Sequence, residues 1–112
     1  MGSAVPLPED HLLTVIAETY RLLGDPTRLK VVLTCLDGPI AVGDIATAIG
    51  ASQSLVSHHL RLLRAARLVR GTRRNKQVIY EVEDHHIARM LTDMLAHAQE
   101  DHDPGEEDEI RS

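Results

Sequence analysis

Chain breakers divide the first half of this sequence into pieces too short for anything but small helices: Gly24 with Asp25 and Pro26, then Asp37, Gly38 and Pro39, then Gly50. Each piece carries apolar residues at three- and four-residue steps, which is helical spacing. Pro8, Glu9 and Asp10 read as the first turn of a helix, with Leu12, Leu13, Ile16, Tyr20 and Leu23 as its apolar side. Asp25 and Pro26 restart the chain as cap and first helical residue, and this second helix is expected to run to about Leu36. A third spans Val42 to Ile49, with Gly50 as a left-handed stop. Ser52 then caps a longer helix to about Ala66. Two helices joined so tightly define a helix-turn-helix.

On the wheel of the longer helix, Val56, Leu60, Leu63 and Ala66 fall together, with His59 near their edge. Ser54, Ser57, His58 and Arg61 fall opposite, and Gln53 stands near the exposed N-terminal end. Such a face can enter a major groove, where Gln and Arg read base edges and Ser and His contact bases or phosphates. For His58 a plain surface role stays open, and His59 reads as a packing residue.

From Arg67 the pattern changes to alternation. Leu68, Val69 and Arg70 form one strand, Gly71 to Asn75 lead through a polar turn, and Val78 to Val82 form the other. Arg73, Arg74 and Lys76 crowd the tip of this β-hairpin, where they would reach a phosphate backbone or a narrow minor groove. The fold class expected is therefore mainly α with a β-hairpin wing, a winged helix-turn-helix.

Composition matters here in two ways. With no Trp, no Phe and only Tyr20 and Tyr80, the core must come from Leu, Ile, Val, Ala and Met, a supply that suits a helical domain sharing its core with a second copy. The net charge of -5 is uneven: residues 1–99 hold eleven Lys/Arg against ten Asp/Glu, whereas residues 100–112 hold seven acids against Arg111. From Arg61 to Lys76 there are seven basic residues and no acid, a candidate phosphate-binding surface. We therefore expect a flexible N-terminus at 1–7, one domain at 8–100 and an acidic disordered tail at 101–112. The lone Cys35 excludes an intrachain disulfide and sits among Val31, Val32, Leu33 and Leu36 as a buried thiol. No signal peptide and no long apolar run appear, so a bacterial-type cytoplasm is the expected location, with no membrane partner.

The stretch from Asp84 to Glu100 reads as an amphipathic helix with Ile87, Met90, Leu91, Met94, Leu95 and Ala98 along one stripe. Metal-ligand side chains stand at both ends. His86 and His97 share a face but lie eleven residues apart, roughly 16 Å along the axis at 1.5 Å per residue, too far for one ion. His97 and Glu100 can converge, and Asp84 can converge with His86 if it occupies the N-cap. A second copy laid antiparallel would complete two symmetric sites, each with Asp84 and His86 from one subunit and His97 and Glu100 from the other. The alternative is a surface helix with scattered polar residues, since exposed histidines are common.

The segments LGDPTRLKVVL, VGDIATAIGASQSLVSHHLRLLRAARLV, QVIYEVEDHHI and LAHAQE resemble the ArsR/SmtB family of bacterial winged-helix metal-sensing repressors, over roughly four-fifths of the chain. The resemblance implies a homodimer, joined through its first and last helices, that holds operator DNA without metal and leaves it when metal binds. In the zinc- and cobalt-responsive branch the ligand pattern matches Asp84, His86, His97 and Glu100. It also implies that the second ring nitrogen of the ligand at His97 bonds a backbone carbonyl at the end of the recognition helix, at Arg67. Branches with thiolate sites place cysteines where this chain has Ile40 to Asp44, with none. Zn(II) or Co(II) suits imidazole and carboxylate ligands, and Ni(II) enters if His102 and Asp103 raise the coordination number. A zinc hydrolase would need an open coordination position and a general base, so no enzyme is expected. A winged-helix DNA-binding protein without metal sensing is the remaining alternative.

Overall fold

In a computed structural model the described residues are 5–101. The acidic tail and His102 lie outside them, as do residues 1–4. The chain runs α1 (Asp10–Leu23), α2 (Pro26–Thr34), a 3-10 turn (Cys35–Asp37), β1 (Ile40–Ala41), α3 (Val42–Ile49), α4 (Gln53–Ala65), β2 (Val69–Arg74), β3 (Gln77–Val82) and α5 (His85–Asp101).

Local chemistry sets most of these boundaries. The Asp25 carboxylate accepts the Arg28 N–H at 2.9 Å, and Pro26 opens α2 where its missing N–H costs nothing. Gly50 stops α3 at φ 71°, and two residues later the Ser52 hydroxyl caps α4 by accepting the Leu55 N–H at 3.1 Å. These two devices form the turn of the helix-turn-helix. The end of α4 is less orthodox. Leu68 N–H reaches back to Leu63 O at 2.9 Å and Arg67 N–H to Arg64 O at 3.0 Å, a Schellman closure that puts Arg67 in the left-handed region at φ 62°. Glycine is the usual occupant there, and an L side chain costs about 1–2 kcal/mol.

Two boundaries differ from the sequence expectation. Helix α1 begins at Asp10 with Glu9 as its cap residue, so Pro8 precedes the helix instead of opening it. Strand β2 continues through Gly71 to Arg74, leaving a tight turn at Asn75 and Lys76 with Asn75 at φ 58°. Gly71 makes no turn. It lies opposite Tyr80, and a methyl group built there would sit 2.9 Å from Tyr80 Cε1, so its role is to give that ring room across the strand pair. The two-residue β1 adds to the hairpin, pairing Ile40 with Tyr80 and Ala41 with Ile79, so the sheet has three strands in the order β1-β3-β2.

The core is aliphatic. Val31 and Val32 of α2, Ile45 of α3, Val56, Leu60 and Leu63 of α4, and Leu68 and Val69 are fully buried together, with Leu91 of α5 at their margin. It fixes α4 against α2, α3 and the base of the hairpin. The apolar side of α1 behaves otherwise. Leu12, Leu13, Ile16 and Tyr20 of that side are exposed in the single chain, as are Val15, Met94 and Leu95, in keeping with a helix expected to meet a second copy; of α1 only Leu22 is buried. Exposed apolar faces on two helices of one small domain are of the kind that marks an interface.

Candidate nucleic-acid interface and metal centre

Burial of one face of α4 in the core leaves its other face outward. Gln53, Ser54, His58 and Arg61 are exposed and Ser57 is half-buried beside the hairpin. His59 points the other way and is 7% exposed, in keeping with its reading as a packing residue. Its Nδ1 and the Nε of Arg28 have no hydrogen-bond partner among the described residues. Burial holds the His59 imidazole below its ordinary pKa; Arg28 and His58 push the same way, and Asp25 opposes them.

Gln53 lies across Gly43 of α3, whose position would put a methyl group 3.2 Å from the Gln53 amide nitrogen. The wing tip adds charge. Arg73 pairs in register with Val78 and Arg74 with Gln77, so both arginines end a strand and Lys76 occupies the turn, all three exposed. Arg70 is different in kind: its Nε lies 3.4 Å from Glu81 Oε2 directly across the strand pair. Sequence reasoning placed these basic residues in one block without separating paired from unpaired ones.

At the start of α5, Asp84 occupies the cap. Its Oδ1 accepts the Ile87 N–H at 3.0 Å, its carbonyl accepts the Ala88 N–H at 3.1 Å, and His86 Nδ1 lies 3.8 Å from the same Oδ1. The Ile87 bond is the largest cause holding the Asp84 carboxyl below its ordinary pKa, with the nearby histidines adding to it. His85 stacks against His86 with ring centroids 3.9 Å apart, a neighbour that sequence reasoning did not single out. His97 and Glu100 occupy the far end of the same helix. Among the described residues of the single chain, no three of its His, Cys, Asp and Glu side chains gather into a metal-binding cluster. Asp84 and His86 are thus brought together, while His97 and Glu100 stay apart from them. Cys35 is fully buried, and burial pushes its thiol up to about 12. No helix among the described residues is long and apolar enough to cross a membrane.

An exposed helix face locked over an aliphatic core, with a cationic hairpin beside it, defines the winged helix-turn-helix fold, and relatives of this chain are transcriptional regulators. The model of the bacterial regulatory proteins of the arsR family matches residues 25–70, and the transcriptional repressor SmtB of Mycobacterium tuberculosis is 37% identical over 94 residues, 84% of this chain and 70% of SmtB. The chain belongs to that arsR family. Among solved structures, the homodimeric winged helix-turn-helix DNA-binding domain of a Mycobacterium bovis protein superimposes with a TM-score of 0.74 at 25% identity, covering 89% of this chain and 97% of that one. The solution structure of apo-NmtR gives a TM-score of 0.71 at 36% identity over 89% of this chain and 83% of NmtR.

Proposed function

We propose that this regulator is a metal-responsive repressor, a cytoplasmic homodimer that holds operator DNA and is released when Zn(II), or Co(II), binds at inter-subunit sites on α5. The observation that carries this reading is the pairing of Asp84 with His86 at one end of α5 while His97 and Glu100 stand at the other. Half a tetrahedral site at each end of one helix becomes two whole sites when two copies run antiparallel. The exposed apolar faces of α1 and α5 supply a reason for the copies to meet, and the M. bovis relative is homodimeric.

The donor set fits a borderline divalent ion. Asp84 is held ionised by its cap bond, His86 and Glu100 are exposed, and the set is two imidazoles and two carboxylates with no thiolate. When bound, the ion supplies a link between the last helices of the two protomers. The chain's own residues do the rest. Arg67 stands at the joint between α4 and β2, so a hydrogen bond from a ligating His97 to its carbonyl would act on the angle between reading helix and wing. Gln53, Ser54, Ser57, His58 and Arg61 read bases, and Arg73, Arg74 and Lys76 add sequence-independent affinity. A coupling of about 1–3 kcal/mol suffices for a switch when operator occupancy is near balance.

Equilibrium zinc titration of the purified, chelator-treated dimer, followed by gel shift on its operator, tests the reading. Two tight ions per dimer that also release DNA support it. DNA binding with no tight zinc leaves a winged-helix regulator that does not sense it, and tight nickel lost on removing His102 moves the site into the tail.

A further inference from the structure

The basic block contains more cations than the reading face and the wing tip use. Arg64 follows Ser54, Ser57 and Arg61 along one stripe of α4, at steps of three, four and three residues. Where α4 ends, a groove of about 490 Å³ opens between it and the hairpin, with Arg64, Arg67, Arg70 and Arg73 on its walls and Glu83 as its one acid. A second groove, about 460 Å³, shares Arg64 and runs back to Ser57 and Arg61 past Tyr80. The two meet at Arg64 and are taken together as one trough, and Gly71, Arg73, Val78 and Tyr80 of their walls lie on the same face of the β2-β3 pair.

Its charges are unequal. Arg70 is spent on Glu81, whereas among the described residues Arg64, Arg67 and Arg73 stand in no ion pair. Arg67 carries a second signal: it occupies the left-handed position that closes α4, where glycine would be less strained. A residue that breaks a local rule invites a functional reason.

We infer that this trough seats a stretch of DNA sugar-phosphate backbone, with Arg64 and Arg67 as phosphate contacts beside the bases read by Ser54 and Ser57. The inference rests on the DNA-binding reading of the previous section. Guanidinium groups match phosphate oxygens in pairs, and arginines spaced along a trough suit a continuous strand. The occupant is the backbone and not a free anion, since the trough continues the reading stripe without a break.

The test uses a random-sequence 30-base-pair duplex, so that no operator need be known, and measures affinity against salt for the full-length chain. Arg67→Gly removes the side chain while easing the backbone, so thermal stability should hold or rise; Arg64→Gln keeps length and helix. Each phosphate contact loses about 3.5-fold in affinity over a fourfold rise in salt, so from 50 to 200 mM the double variant should lose about 12-fold less than the parent. Lys30→Gln, an exposed change on α2, controls for net charge and should leave the slope alone. A double variant with the parent's slope overturns the trough, and so does a Lys30→Gln slope changed as much per charge. If the parent itself binds duplex without salt dependence, the DNA-binding reading falls with it. If Arg73 and Arg74 variants flatten the slope and Arg64 and Arg67 variants do not, the trough alone falls.

Discussion

The Asp84 carboxylate serves α5 before it serves any metal: one oxygen, Oδ1, both accepts the Ile87 N–H at 3.0 Å and lies 3.8 Å from His86 Nδ1. The bond to the helix fixes the carboxylate beside His86, so in the proposed site one atom would serve both folding and ligation. They can still be separated. Asparagine caps helices about as well as aspartate but carries no charge. Asp84→Asn should therefore keep the melting temperature of the parent while zinc affinity falls by more than the roughly 10- to 100-fold that loss of a supporting group costs. Calorimetric titration beside a thermal melt reads both quantities, and unchanged zinc affinity would remove Asp84 from the ligand set.

Sensing and DNA binding should also come apart at the other end of the helix. His97 lies outside α4 and the wing, so His97→Ala should leave a folded dimer on its operator that zinc no longer releases. Gel shifts with and without zinc measure this directly. Release as ready as the parent's would place the site elsewhere.

For the wing, Arg73→Gln with Arg74→Gln should weaken binding to operator and random duplex alike, because contacts to phosphate carry no sequence information. The slope of log affinity against log salt should flatten by about 1.8, or 0.9 for each charge removed. An unchanged slope rules out the wing tip as a phosphate contact.

The parts of this fold that the sequence announces are those fixed within a few residues. Gly50, Ser52 and Asp84 each act on backbone groups at most four positions away, and each boundary falls where its chemistry sets it. Gly71 shows the converse. In sequence it reads as turn material, but its structural reason is Tyr80, nine residues on and opposite it across the strands. Strand β1 likewise exists only because Ile40 and Ala41 meet β3. The periodicity of α1 correctly marks an apolar face, yet periodicity names no partner, and among the described residues Leu12 and Ile16 stay exposed. The proposed metal ligands stand on the same divide: the Asp84–His86 pair is local and legible, whereas joining it to His97 and Glu100 would need a second copy.

His59 gives a prediction in pH. Its imidazole is held below the ordinary value by burial, with Arg28 adding to the effect, so the folded chain favours the neutral ring. The folded pKa is depressed, so the stability from the neutral ring is fully present above the unfolded value near 6.5 and is lost as pH falls toward the folded value. Melting temperature should therefore drop between pH 7.5 and 5.5, and by less in His59→Leu, which removes the titrating group. Equal drops in parent and variant would mean that His59 is not the buried neutral group described.

The last prediction concerns whether each metal is shared between subunits. One chain carries Asp84→Ala and His86→Ala, and another carries His97→Ala and Glu100→Ala. Neither homodimer then holds a complete site. In a heterodimer, the Asp84 and His86 of the second chain would meet the His97 and Glu100 of the first, rebuilding one whole site while the opposite one loses all four ligands. Mixing should therefore raise tight zinc from near none to one ion per heterodimer, read by equilibrium titration after heterodimers are isolated on two different tags. If isolated heterodimers bind no tight zinc, the antiparallel arrangement is wrong. The ligands would then have to act within one chain, which His86 and His97, roughly 16 Å apart along α5 at 1.5 Å per residue, cannot do on that helix alone.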